Sequence, residues 1–508
     1  MNNLGITKQY FFLKEFILFS VFICFITGQS DPFSFKNISV EDGLSESTVK
    51  VIFEDHYGFI YIGTENGLDF YDGYEFLNYQ MNAFDEASIL GNKISCIFED
   101  SKNMIWVGTE LGVSRFDPAT RSFSRPVHLG INSDFQLVNP ETIVEDGNNN
   151  IWIKLYGQNA LFQYDHLTDS TRCMNCSPDH PLKSATSINL YEDSNRTIWI
   201  GSDLGLYYFD LIENKILSLR SKGEIFSSPV TVIEEGNKGT LWVGTINGLA
   251  RLTNDQFNTT VIFYTNESGS KSLVSNWVKD LDWDNEKNEL WIATDNGLSR
   301  FVPEINKFHN IQVTPFANSI IENDISKVIV AEKSGKLWFT TENYPGINCL
   351  SVFMDSYYGE MDTSFTHFEH DPVDPNSIAD NNISAFIEDK AGHVWIGTRQ
   401  NGISFHSFVK PKFSSIRYDR ENEWGLKSDK IFSIATLSDG YLWAGTGHGL
   451  ELLSPDGIRD YEMEKSALGI NQVMDLEIIN DEILWVASTE GVLRIDLNTE
   501  EITRFSSL

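Results

Sequence analysis

Residues Ile97–Asp117, IFEDSKNMIWVGTELGVSRFD, read as strand, acidic turn, strand, glycine turn, strand. Ile97 and Phe98 close an apolar run, and Glu99-Asp100-Ser101-Lys102-Asn103 is turn chemistry, because short polar side chains hydrogen-bond their own backbone. Ile105-Trp106-Val107 is a β-branched and aromatic strand core. Thr109-Glu110-Leu111-Gly112 turns the chain back, with Gly112 free to take positive φ. Val113–Phe116 opens a further strand, which Asp117-Pro118 stops.

The same unit recurs along the chain. The Trp106 position returns as Tyr61, Trp152, Trp199, Trp242, Trp291, Trp338, Trp395, Trp443 and Trp485, at steps of 45, 46, 47, 43, 49, 47, 57, 48 and 42 residues. A Gly-Thr pair follows at Gly63-Thr64, Gly108-Thr109, Gly244-Thr245, Gly397-Thr398 and Gly445-Thr446. A period of about 40–50 residues with several short strands per unit predicts an all-β fold of β-propeller blades, each a four-stranded antiparallel meander. Both faces of a blade pack on neighbours, so strands such as IWVG are continuously apolar and do not alternate.

Ten blades exceed the usual 4–8 of one ring. The longest step holds an inserted stretch, Ser351–Phe365, and the Pro/Asp punctuation His370-Asp371-Pro372-Val373-Asp374-Pro375. A seven-bladed ring over 31–365 and three blades of an incomplete second ring over 366–508 are therefore expected, with one ten-bladed ring as the alternative. Pro32–Val40 reads as a strand without a blade of its own, suited to completing the last blade of a ring.

Residues 1–30 carry Lys8 and Lys14, an apolar run Phe16–Thr27, and small residues Gly28 and Ser30. This predicts a secretory signal peptide, too short for a membrane span, with an uncleaved anchor as the alternative. The rest of the chain would then be extracytoplasmic. Cys173-Met174-Asn175-Cys176 lacks the βαβ surroundings of a redox motif and the second ligand pair of a metal site, leaving a local disulfide or two free thiols. No cofactor is expected.

With 72 acidic against 38 basic residues, the formal net charge is −34. Such a chain, with no basic patch, is not expected to bind nucleic acid or an anionic membrane. Paired carboxylates are the apparatus of glycoside hydrolysis. Here the pairs Glu54-Asp55, Glu99-Asp100, Glu145-Asp146, Glu192-Asp193 and Glu388-Asp389 recur at one turn, so a structural role is expected. Asn-rich turns such as Asp146–Asn150 are read as Asx turns and not as calcium loops.

The pattern GLS…V…I.ED..G.IWIGT..GL..FD stands here as Gly43-Leu44-Ser45, Val49, Glu54-Asp55, Gly58, Ile60-Tyr61-Ile62-Gly63-Thr64, Gly67-Leu68 and Tyr71-Asp72-Gly73. It is similar to the two-component regulator propeller repeat, and the resemblance runs from about Phe33 to Leu508. It implies the periplasmic sensor region of a hybrid two-component system of Bacteroidetes. The family layout has two seven-bladed propellers, an Ig-like domain, a membrane span, a histidine kinase, a receiver and a DNA-binding domain. Its ligands are mostly oligosaccharides. This sequence departs from that layout in lacking the span after the propellers, the phospho-accepting His motif, the ATP-binding motif and the receiver. A truncated product, a split gene or a stand-alone binding protein is expected, with no chemistry of its own and a histidine kinase portion as its partner. A homodimer is a fair expectation in the full-length context.

If each inner strand runs from one face to the other, the Glu-Asp turns share one face. The glycine hairpins and the loops leading into each blade share the opposite one, where a ligand is expected. Residues that break the repeat are the candidates for contact. These are Lys154, Tyr156 and Gln158 where other repeats carry Gly-Thr, Tyr344 in the seventh repeat, and the extra tryptophans Trp277 and Trp424. Aromatic faces suit the C–H faces of sugars, and Lys and Gln suit their hydroxyls. A propeller glycoside hydrolase or lyase, or a scaffold without ligand, are the competing classes.

Overall fold

A computed structural model describes residues 33–125, 139–157, 160–221, 224–255, 258–267, 272–314, 320–343, 345–354 and 361–408. Beyond these it describes 426, 428, 430–438, 440–447, 449–453, 459–464, 472–499 and 501–505. The expected signal peptide lies outside the described residues.

The chain forms ten four-stranded antiparallel sheets with the character of propeller blades. In chain order, sheets 1 to 7 span 49–79, 94–124, 140–173, 188–218, 230–264, 278–311 and 325–368. Sheet 8 takes three strands from 383–407 and its fourth from Lys36–Ile38, which pairs antiparallel with Ile403–Ser407. Sheets 9 and 10 span 431–464 and 473–505. Two compact units result, one running to Val409 and the other from Lys410.

Each second strand is the core of its sheet. Ile60–Thr64, Ile105–Thr109 and Ile198–Ser202 are buried at every position. Where the repeat has Gly-Thr, the glycine lies flush against the next sheet. A Cβ on Gly63 would stand 2.6 Å from Cγ2 of Ile94 in sheet 2, and one on Gly397 of sheet 8 would stand 2.7 Å from Cγ1 of Val49 in sheet 1. The threonine hydroxyl closes its hairpin, as Thr64 Oγ1 does on the Gly67 carbonyl at 2.9 Å.

The acidic pairs divide their work. The aspartate holds its own turn: Asp100 Oδ1 accepts from the N–H groups of Lys102 and Met104, and Oδ2 accepts from Trp106 Nε1 at 2.7 Å. The glutamate reaches the preceding sheet. Glu145 accepts from Ser101 N at 2.9 Å, Glu235 from Ser194 N at 2.6 Å, and Glu388 from Lys333 N at 2.8 Å. Glu54 of sheet 1 accepts from Lys390 N of sheet 8 at 2.9 Å.

At the other end, every sheet except the fourth has a β-bulge at the start of its first strand. Bulged side chains tie that end: Ser95 Oγ donates to the Pro140 carbonyl at 2.6 Å, Thr231 Oγ1 to Val278 at 2.7 Å, and Ser384 Oγ to Val49 at 2.7 Å.

The described contacts group the eighth repeat with the first unit and leave sheets 9 and 10 in the second, where the sequence expectation sets the boundary at 365/366. The supposed insertion is largely strand, because Ile347–Met354 and Met361–Phe368 form one long hairpin. The Pro/Asp segment is not a linker. Ser377 Oγ donates to the carbonyls of Asp371 and Asp374, as Ser88 Oγ does to those of Asn82 and Asp85 ahead of sheet 2, so this is a standard lead-in loop. It is also tied to the N-terminal strand through Phe35 N, which donates to the Asn376 carbonyl at 2.9 Å.

In the second unit, sheets 9 and 10 bury Trp443 and Leu450 against Val473, Leu476, Leu484 and Val486. Ser438 N donates to Asp481 at 3.2 Å, matching the turn-to-turn bonds of the first unit. Val492 and Phe505 of sheet 10 are exposed.

Candidate functional site

The strand order brings the glycine hairpins and lead-in loops to one end of the first unit. Three sequence candidates are described there, whereas Gln158, Tyr344 and Trp424 lie outside the described residues.

Lys154 sits on the second strand of sheet 3, Ile151–Leu155, in the place of the packing glycine. Its side chain is buried, and Nζ lies 2.7 Å from Oε2 of Glu141, the bulged residue of the same sheet. Burying a lone ammonium would be costly, so the pair accounts for a lysine in this position. Tyr156 follows the strand and is 61% exposed. Its backbone N–H donates to the Asn139 carbonyl, leaving the ring on the rim.

Trp277 ends the loop leading into sheet 6 and is 48% exposed. Lys279, two residues on, is the bulged residue of that sheet, and its Nζ lies 5.5 Å from the Trp277 ring centroid. The same Nζ is 2.6 Å from Asp324 Oδ1 and 3.6 Å from Glu342 Oε2, both from sheet 7 and its lead-in loop. Burial works against the charge of Lys279, but the hydrogen bond and charge of Asp324, with Glu342 beside it, outweigh this and hold its pKa above the ordinary lysine value. Asn343 Nδ2 donates to Glu322 at 2.6 Å. Asp295, whose N–H donates to the Trp277 carbonyl, has a buried Oδ1 with no partner among the described residues.

The arrangement offers a half-exposed indole face edged by a cation, carboxylates and an amide. Such a surface can stack one face of a ring and exchange hydrogen bonds with its hydroxyls. Lys279 and Asp324 escaped the sequence reading, because the bulge that turns Lys279 beside Trp277 leaves no mark in the repeat pattern. The structure does not join this group to Lys154 or Tyr156 by any hydrogen bond or ion pair among the described residues.

Cys173 and Cys176 form a disulfide. Cys96 and Cys349 are buried free thiols, and burial pushes each up to about 12.

Residues 88–110 and 377–400 match the family described as two component regulator propeller. Histidine kinase P4 of Formosa agariphila is 36% identical over 89 residues, which is 18% of this chain and 6% of that protein. Among solved structures, the extracellular domain of the hybrid two component system BT3049 of B. thetaiotaomicron aligns over 94% of this chain and 73% of its own, with 20% identity and a TM-score of 0.41. The extracellular domain of BT4673 of the same organism covers 93% and 67%, with 17% identity and a TM-score of 0.40.

Proposed function

We propose that this chain, which carries two-component regulator propeller repeats, is the extracytoplasmic ligand-sensing region of a hybrid two-component regulator. In this reading it recognises an oligosaccharide and signals to a histidine kinase portion. The observation that carries the reading is the repeat itself, matched in two segments and shared over 89 residues with a histidine kinase. The saccharide rests on Trp277, whose half-exposed ring is edged by Lys279, Asp324 and Glu342. Ligand binding across neighbouring sheets would favour one of two arrangements, which is all a signal requires.

The first unit is, in the same proposal, a closed ring of eight blades. The bonds Ser384 to Val49 and Lys390 to Glu54 repeat between sheets 8 and 1 what Ser95 to Pro140 and Ser101 to Glu145 do between sheets 2 and 3.

The test is calorimetry of the chain against a panel of oligosaccharides, repeated with Trp277→Ala and Tyr156→Ala. Loss of a stacking ring should weaken binding by about tenfold, the equivalent of roughly 1.4 kcal/mol. Absence of heat with every glycan would remove the saccharide reading. Unchanged affinity in both variants would move the site elsewhere.

A further inference from the structure

We propose that the crevice between sheets 5 and 6, at the end carrying the acidic turns, binds a small organic carboxylate. In sheets 2, 3, 4 and 8 the repeat tryptophan donates its indole N–H to the aspartate six residues before it: Trp106 to Asp100, Trp152 to Asp146, Trp199 to Asp193 and Trp395 to Asp389, at 2.7–2.9 Å. Sheet 5 has Gly236 at that position, and Trp242 Nε1 is buried with no partner among the described residues. Trp283, on the first strand of sheet 6, stacks on Trp242 with ring centroids 6.4 Å apart. Its buried indole N–H is also unpartnered among the described residues.

Arg251 supplies a third donor. It pairs across the sheet with Trp242, as Arg115 does with Trp106, and its guanidinium lies 5.5 Å from the Trp242 ring centroid. Arg115 Nε donates to Ser124 Oγ at 3.2 Å, whereas Arg251 Nε is buried without a partner among the described residues. Sheet 2 thus satisfies both positions from within the fold, and sheet 5 leaves both open.

All three side chains line one cavity of about 270 Å³, with Lys238 at its rim and Glu304 as its single acidic residue among the described residues. Three open N–H donors and a lysine against one carboxylate is an inversion of the balance in a protein of net charge −34. A buried N–H left without an acceptor is destabilising, so an acceptor brought by a ligand is favoured. In the sister sheets a carboxylate performs this role. The volume is just below the usual range of small-molecule pockets, which limits the guest to about the size of a single sugar acid. The crevice lies at the opposite end of the sheets from Trp277, so this inference stands apart from the saccharide reading.

The test uses the whole chain with ¹⁵N-labelled tryptophan indoles, titrated with glucuronate and with glucose as the neutral analogue. Trp283→Phe assigns its own signal. Glucuronate should move the Trp242 or Trp283 indole proton downfield while glucose leaves both in place, and Arg251→Gln should weaken the effect by about tenfold or more. The wild-type titration decides even if a variant fails to fold. No movement with glucuronate, equal movement with glucose, or full retention of affinity in a folded Arg251→Gln would overturn the assignment.

Discussion

At the scale of single residues, the acidic pairs explain themselves as two different devices. Asp146 accepts from the N–H groups of Asn148 and Asn150, from Trp152 Nε1 at 2.9 Å and from Gln163 Nε2 at 2.7 Å, so one carboxylate fastens a turn to the buried aromatic beneath it. This makes Trp152 and Trp242 unequal despite their near-equal burial. Trp152→Phe strands part of a buried charge and should cost about 1.5–3 kcal/mol beyond the lost packing, as hydrogen bonds to charged groups do. Trp242→Phe removes an N–H that has no partner among the described residues and should cost distinctly less. Urea denaturation of the two variants checks this, and equal losses would contradict it. Trp277, half-exposed, should tolerate Ala with a small loss of melting temperature, in contrast to the about 3–5 kcal/mol expected for Trp395→Ala in its buried setting.

At the scale of the strand, the first strands of sheets 5 and 6 carry acids into the packing between sheets. Asp282 Oδ2 accepts from Val330 N at 2.6 Å. Burial, with the charges of Asp282 and Asp280 beside it, pushes Glu234 up to about 9. Burial likewise pushes Asp282 up to about 7. Both groups hold their protons more tightly folded than unfolded, where ordinary carboxylates titrate near 4. Their contribution to stability is therefore complete at acid pH. It is lost as pH rises, through about 7 for Asp282 and about 9 for Glu234. Melting temperature should fall between pH 6 and pH 9, and Glu234→Gln, neutral throughout, should flatten that fall. An unchanged slope in the variant would refute the assignment. None of this was legible in the sequence, where Glu234 stands next to the repeat's acidic turn and carries no mark of burial. What was legible was the strand content and the ten repeats, because buried β-branched and aromatic runs between polar turns leave a direct mark. The bulges were not, since one extra residue changes register without changing composition. For the same reason Trp277 was readable as an aromatic out of place, while its neighbours Lys279 and Asp324 were not.

At the scale of the molecule, the position of the boundary turns on what covers the first and seventh sheets. Val49, Ile52, Ile60 and Ile62 of sheet 1 pack with Trp395 and Ile403 of sheet 8, and Trp338 of sheet 7 packs with Val394 and Ile396 on its other side. Among the described residues, Lys36–Ile38 has its strand partner only in Ile403–Ser407. A Pro/Asp-rich stretch near residue 372 invites a cut, yet cutting there removes all these contacts together. Each large apolar side chain returned to water costs roughly 1.5–3 kcal/mol, and a handful of them equals the whole net stability of a typical domain, about 5–15 kcal/mol. A fragment of residues 33–365 should therefore fail to melt cooperatively and should bind a hydrophobic dye. A fragment of residues 33–409 keeps sheet 8 and should melt cooperatively near the temperature of the first transition of the whole chain. Calorimetry of the two fragments separates the arrangements, because a ring of seven requires the shorter fragment to fold and gains nothing from the additional residues. If residues 33–365 melt as sharply as 33–409, the contacts between sheets 8 and 1 are dispensable and the seven-sheet division is the correct one.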